Sequence, residues 1–184
     1  YSNYKLIKPY KFQNISFNLN FKPKFLKIIN NNLSIDENTF VSGKFKSNGD
    51  YNLKFESSFV KFKDLNATNL NVDINNKSGF IEISRIDSDL ISGNDFKIIT
   101  NFINGSHQVN SSFRSSRNEI NRISFNHTID KNNKSVISFY DMELSIKNQK
   151  WVIDEKQNNI LPVLSFSRDK KDFSFTDANF ISGE

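Results

Sequence analysis

The chain has 184 residues, 25 Lys and Arg against 20 Asp and Glu for a formal charge of +5, and no cysteine. That length suits one domain with room for a core, while the missing cysteines exclude disulfide frameworks and thiolate metal sites. Hydrophobic residues make up only 36% but aromatic residues 14%, with 19 Phe, which excludes a disordered chain and fits thin, one-sided sheets better than a thick core.

The first segment, Tyr4 to Phe21, settles into alternation at Ile15: Ile15, Phe17, Leu19 and Phe21 take one parity, Ser16, Asn18, Asn20 and Lys22 the other. Successive side chains of a strand point to opposite faces, so this pattern makes a ribbon with one apolar and one wet face. Pro23 interrupts it, and Phe25 to Ile29 leads into Asn30-Asn31-Asn32. Leu33 and Ile35 form a short strand, and Phe40 to Phe45 another, in which Gly43 suggests a bulge. Asn48-Gly49 predicts a tight hairpin into Tyr51, Leu53 and Phe55. The phase then slips at Ser57-Ser58, putting Val60 and Phe62 in the apolar slots, as at a bulge or bend.

Leu70, Val72 and Ile74 continue the pattern, and Asn75 to Gly79 turns into Phe80 to Ile86. Phe96 to Phe102 follows, then Asn104-Gly105 and Val109 to Phe113. Ile120 to Ile129 is a long strand with Ile123, Phe125, His127 and Ile129 on one parity. After the turn Asp130 to Lys134 come Val136 to Phe139, then Met142, Leu144 and Ile146. Trp151 to Ile153, Leu161 to Phe166, Phe173 to Phe175 and Phe180-Ile181 close the chain. Roughly a dozen strands at a spacing of about 8–12 residues indicate an all-β protein. Helical periodicity is nearly absent, its best candidate being the short stretch Asp36 to Phe40.

Chemistry is sparse. Basic and acidic residues are interspersed, unlike the stripes of nucleic-acid binders, so no nucleic-acid partner is expected. His127 reads as a half-buried residue of the apolar parity, with no second histidine near it to build a metal site. The carboxylates fall at turns, and Asp87-Ser88-Asp89 lacks the rest of a calcium loop. No nucleophile elbow or phosphate-cradling glycine loop is present, so neither an enzyme nor a cofactor is expected. Phe and Lys occupy opposite parities, which directs the aromatics toward a core or groove rather than a base-stacking platform. No apolar run approaches the ~18 residues of a membrane span and no signal peptide is visible; starting at Tyr1, the chain reads as a section of something longer.

The stretch Ile123 to Phe139, followed by Met142 to Asp154 with its Trp151-Val152-Ile153 element, resembles the repeats of TamB-like proteins of Bacteroidota. Phe180-Ile181-Ser182-Gly183 is similar to a closing element of that family, and Asn48 to Phe55 to an earlier repeat. The resemblance covers about residues 45–184 as a β-repeat section, with 1–44 as further N-terminal strands. It implies an elongated, curved, antiparallel meandering sheet forming an open U-shaped groove, the β-taco of TamB and AsmA-like proteins. It also implies a periplasmic location with inner-membrane attachment through a segment outside this chain, and roles in phospholipid transport to the outer membrane and in outer-membrane assembly. Phospholipid acyl chains and an outer-membrane β-barrel of the Omp85 type would be the partners. This chain departs from the family in lacking the N-terminal anchor helix.

The expected groove lining is Ile15, Phe17, Leu19, Phe21, Tyr51, Leu53, Phe55, Leu70, Val72, Ile74, Ile123, Phe125, Ile129, Leu144 and Ile146, chosen for shared parity within each strand. Moving a ~16-carbon tail through water costs about 0.8 kcal/mol per methylene, or ~13 kcal/mol, and an apolar trough removes most of that. The alternative is a closed β-sandwich, acting as an adhesin-like binding module or as a scaffold subunit of an outer-membrane complex, which would bury the same residues in a dry core.

Overall fold

The computed structural model describes residues 14–23, 32–89, 91–146, 149–153, 161–167, 173–176 and 180–183, with side chains at 146, 173 and 180–183 outside the description. The expected segments Tyr4 to Gln13 and Phe25 to Ile29 lie outside the described residues, as do Asp154, Asp169 and Asp172.

Alternation, β-branched and aromatic residues, and Asn-rich turns produce one antiparallel sheet of 14 strands. Seven long strands make its body: β4 (Tyr51–Phe62), β5 (Leu65–Asn75), β6 (Ser78–Asp87), β7 (Ser92–Ile103), β8 (Ser106–Ser115), β9 (Ile120–Ile129) and β10 (Ser135–Ile146). Each pairs with the next in sequence. On both flanks the body meets two short strands placed end to end. β4 takes β3 (Phe40–Phe45) along one half and β2 (Leu33–Ile35) along the other. β10 takes β11 (Gln149–Ile153) and β12 (Val163–Phe166) in the same manner. β1 (Ile15–Asn20) lies outside β3, β14 (Phe180–Gly183) outside β11, and β13 (Phe173–Phe175) outside β12.

The sheet is therefore an open antiparallel meander, as expected. No second sheet packs on it among the described residues, and its flanks do not pair with each other, which rules out the closed sandwich. It is not strongly curled either. Among the described residues, the buried apolar side chains are Ile35, Ala67, Phe96, Ile153 and Pro162. Such a sheet holds together through its ladder and cross-strand pairs rather than through a core.

Turn chemistry sets the register. The hairpins at Lys46–Asp50, Ser115–Glu119 and Asp130–Lys134 share one design, in which the fourth residue donates its N–H to the first residue's carbonyl and the first donates to the fifth. The fourth position is left-handed in each, held by Gly49 (φ 90), Asn118 (φ 66) and Asn133 (φ 61). Glycine and asparagine tolerate that conformation, so the asparagine excess has a structural use. Asn48-Gly49 is thus part of a three-residue loop with one positive φ, not the two-residue turn its sequence suggests. That tighter turn occurs at Asn104-Gly105, where both φ angles are positive, at 50 and 79. Asp36 to Thr39 forms a turn, not a helix.

Gly43 does not mark a bulge. It pairs in unbroken register with Phe17 and Leu53, and a Cβ there would lie 2.5 Å from the Phe17 ring and 2.9 Å from Leu53 Cδ2. Its smallness admits the Phe17 ring.

Candidate functional site

Directly paired residues in an antiparallel ladder project from the same face, so the register assigns every strand position to a side. One row runs Phe17, Gly43, Leu53, Ile74, Gly79, Thr100, Val109, Phe125, Phe139 across consecutive neighbours. The next row runs Leu19, Val41, Phe55, Val72, Ile81, Ile98, Ser111, Ile123, Met142. A third links Phe102, His107, His127, Ile137, Leu164 and Phe175. All three lie on one face, which is predominantly apolar, with Thr100, Ser111, His107 and His127 as polar members. Aromatic neighbours lean on one another along it: Phe17–Phe45 with centroids 6.3 Å apart, Phe45–Tyr51 at 6.4 Å and Phe125–Phe139 at 5.8 Å.

The opposite face is wet. Cross-strand ion pairs join Lys54 to Asp73 at 3.0 Å, Lys97 to Glu82 at 3.4 Å, and Arg122 to Asp141 and Glu143 at 3.0 Å each. Lys150 also meets Glu143, whose side chain is only 17% exposed. The Lys150 hydrogen bond, helped by the charges of Arg122 and Lys150 and opposed by burial, holds the Glu143 carboxyl below the usual range.

The apolar side continues past an irregular line crossing β4 to β7. In β4, Ser57 and Ser58 both reach the Asp36 carboxylate, which consecutive residues of a regular strand could not do. Asn69 in β5 (φ 51) and Asp95 in β7 (φ 55) are left-handed. At Asp95 the result is visible. A Cβ at Gly93 would lie 3.2 Å from Phe113 Cδ2, and Phe113 stacks on Phe96 with centroids 4.7 Å apart and rings 3° from parallel. Gly93 and Phe96 have opposite parity, so their shared side requires a phase shift between them. The expected slip at Ser57-Ser58 is thus one end of a seam, and it lets Val60 and Ala67 join the side of Phe55 and Leu70. Buried hydroxyls pin it: Thr39 Oγ1 lies 2.7 Å from Ser57 Oγ and donates to Asp36 Oδ1 at 2.8 Å.

The ladder sets the expected lining residues as follows. Ile15, Leu19 and Ile129 are exposed, at 48%, 47% and 55%. Phe17, Tyr51, Leu53, Phe55, Leu70, Val72, Ile74, Ile123, Phe125 and Leu144 are half-buried on the same face, and Phe21 is half-buried just beyond the end of β1. Ile146 pairs with Gln149 through its backbone, and its side chain lies outside the described residues. Val41, Phe45, Ile81, Ile83, Ile98, Val109, Ile137 and Phe139 belong to this face and were not singled out by parity alone. Turn centres would have found them, because a turn centre fixes which residues oppose each other.

The same arithmetic corrects the histidines. The hairpin centred on Arg117 sets His107 directly opposite His127, with ring centroids 6.1 Å apart, and Phe102 flanks His107 at 4.8 Å. A second histidine is therefore adjacent. Among the described residues, however, no group of three or more metal-ligating side chains forms.

Two depressions meet at the β3–β4 hairpin. One, of about 470 Å³, lies at Ile15 and Phe45 of the apolar face. The other, of about 660 Å³, lies on the wet face among Ser16, Asn18, Ser42, Lys44, Asn52 and Lys54. Lys46 and Asp50 line both.

Comparison of the chain with protein-family descriptions, with curated proteins and with solved structures finds no match. Function must be argued from the two faces.

Proposed function

We propose that this chain is a non-enzymatic section of a TamB- or AsmA-like envelope bridge, whose apolar sheet face shields phospholipid acyl chains on their way through the periplasm to the outer membrane. The observation that carries this reading is the apolar face left uncovered among the described residues: rows rich in Phe, Ile, Leu and Val cross the sheet, two of them from β1 to β10, yet almost none of those side chains is buried. Monomeric proteins rarely expose contiguous apolar patches beyond a few hundred Å², so an occupant of matching chemistry is required. A fatty chain suits a face that is predominantly apolar across its width, its polar members being scattered residues such as Thr100, Ser111, His107 and His127. The charged ladder on the other side keeps the section wet without interrupting the strip. A β-barrel of the Omp85 type at the outer membrane, inner-membrane attachment outside this chain and support of outer-membrane assembly belong to the same proposal.

The test is mass spectrometry of lipid co-purifying with the full-length protein and with Leu53→Asp and Phe125→Arg variants. Wild type is expected to carry phospholipid and both variants to lose most of it while keeping their β-sheet circular dichroism. Equal lipid in all three would overturn the reading.

A further inference from the structure

The 660 Å³ depression on the wet face is the least expected feature of the sheet, because that face otherwise pairs its charges across strands. Four lysines line it, Lys44, Lys46, Lys54 and Lys77, against one carboxylate, Asp50. Lys54 is engaged by Asp73 at 3.0 Å, and Lys46 stands 3.9 Å from Asp50. Asp50 is further held as an anion by hydrogen bonds from Asn48 and Asn76, with the charges of Lys46 and Lys77 adding to the effect. Lys44 and Lys77 form no ion pair among the described residues, so the depression carries surplus positive charge. Its floor adds donors: Ser16 is paired with Lys44, and Asn18 with Ser42.

Two lysines without ion-pair partners, lining one depression with hydroxyl and amide groups, are suited to a phosphate group. Beyond the hairpin, the same Lys46 and Asp50 border the apolar depression at Ile15 and Phe45. A strand pair is only about 10 Å thick with its side chains, so an amphiphile can reach both cavities around the hairpin. We infer that this end of the sheet is a phosphate-ester site for a tailed molecule, the phosphate lying by Lys44 and Lys77 and the first methylenes against Ile15 and Phe45. The tailed ligand rests on the acyl-shielding reading above; the phosphate chemistry rests on the lysines alone.

The test compares co-flotation of the full chain with vesicles of phosphatidylcholine alone and with 3:7 phosphatidylglycerol to phosphatidylcholine. It uses wild type, the double variant Lys44→Ala/Lys77→Ala, and a control of equal charge change, Lys61→Ala/Lys131→Ala. A second arm titrates glycerol phosphate at constant ionic strength. Expected is a preference for the anionic vesicles that falls roughly 10-fold in the first variant and little in the control, with binding to neutral vesicles unchanged. An equal fall in both variants, or none in either, would overturn the site, provided glycerol phosphate also fails to bind at Lys44 and Lys77. Saturable glycerol phosphate binding that the first variant alone loses, without vesicle discrimination, supports the phosphate site with a free ester as its source. Wild type binding neither kind of vesicle would instead strike at the acyl-shielding reading.

Discussion

Small side chains at close approaches decide whether this sheet can form, and the cost of altering them differs in kind. At Gly43 an added methyl meets the end of the Phe17 ring and of Leu53, which can swing away. At Gly93 it would sit 2.3 Å from the Arg114 carbonyl oxygen, which is backbone and cannot. Gly93→Ala should therefore destabilise by about 1–3 kcal/mol and Gly43→Ala by less, as read from urea midpoints; the reverse order would contradict the packing described. Glu143 gives a pH signature. Its carboxyl titrates lower in the folded protein than in the unfolded chain, so its stabilisation is full above the ordinary glutamate value near ~4.3 and is lost as pH falls through the folded value. Glu143→Gln should lower the melting temperature at pH 7 by the equivalent of ~1 kcal/mol and flatten its decline as the pH falls below the ordinary glutamate value. A parallel decline in both proteins would show that the carboxylate does not contribute.

Among the elements, the seam through Ser57-Ser58, Asn69 and Asp95 keeps one apolar side continuous across strands whose sequence parity changes. Only its β4 end was legible in advance, since two consecutive serines break an otherwise regular alternation. Asn69 looked like an ordinary polar position, and Gly93-Asn94-Asp95 like a break before a strand beginning at Phe96, whereas β7 runs through it from Ser92; sequence carries no mark of a left-handed residue inside a strand. Strand order was legible for a simple reason: every turn from β3 to β11 joins neighbours. The facing histidines and the split flanks, β2 with β3 and β11 with β12, were not, because they depend on register or on pairing between distant segments. A left-handed asparagine is tolerated at some cost, which glycine avoids and a β-branched residue raises. Asn69→Gly should thus be neutral or stabilising and Asn69→Val destabilising by about 1–2 kcal/mol, measured by chemical denaturation. Equal stability of the two would mean that the strand runs through regularly.

At the scale of the molecule, the described residues form a one-layer sheet whose apolar face they leave uncovered, and a contiguous face of that kind favours an occupant in water. Parity within strands named part of the face and missed Ile81, Ile98, Val109 and Phe139, among others. The direction in which the sheet would curl is not written in parity, and neither was the basic depression, whose lysines come from different strands and turns. The shielding role makes a positional demand that general stickiness does not. A photo-crosslinking residue placed at Phe55 or Phe125 in the full-length protein should capture phospholipid in cells, while the same residue at Glu82 or Arg122, on the opposite face of the sheet and away from the basic depression, should not. Lipid adducts confined to the first pair are the predicted result; equal adducts at all four positions, or adducts at none, would contradict the claim that this face carries fatty chains.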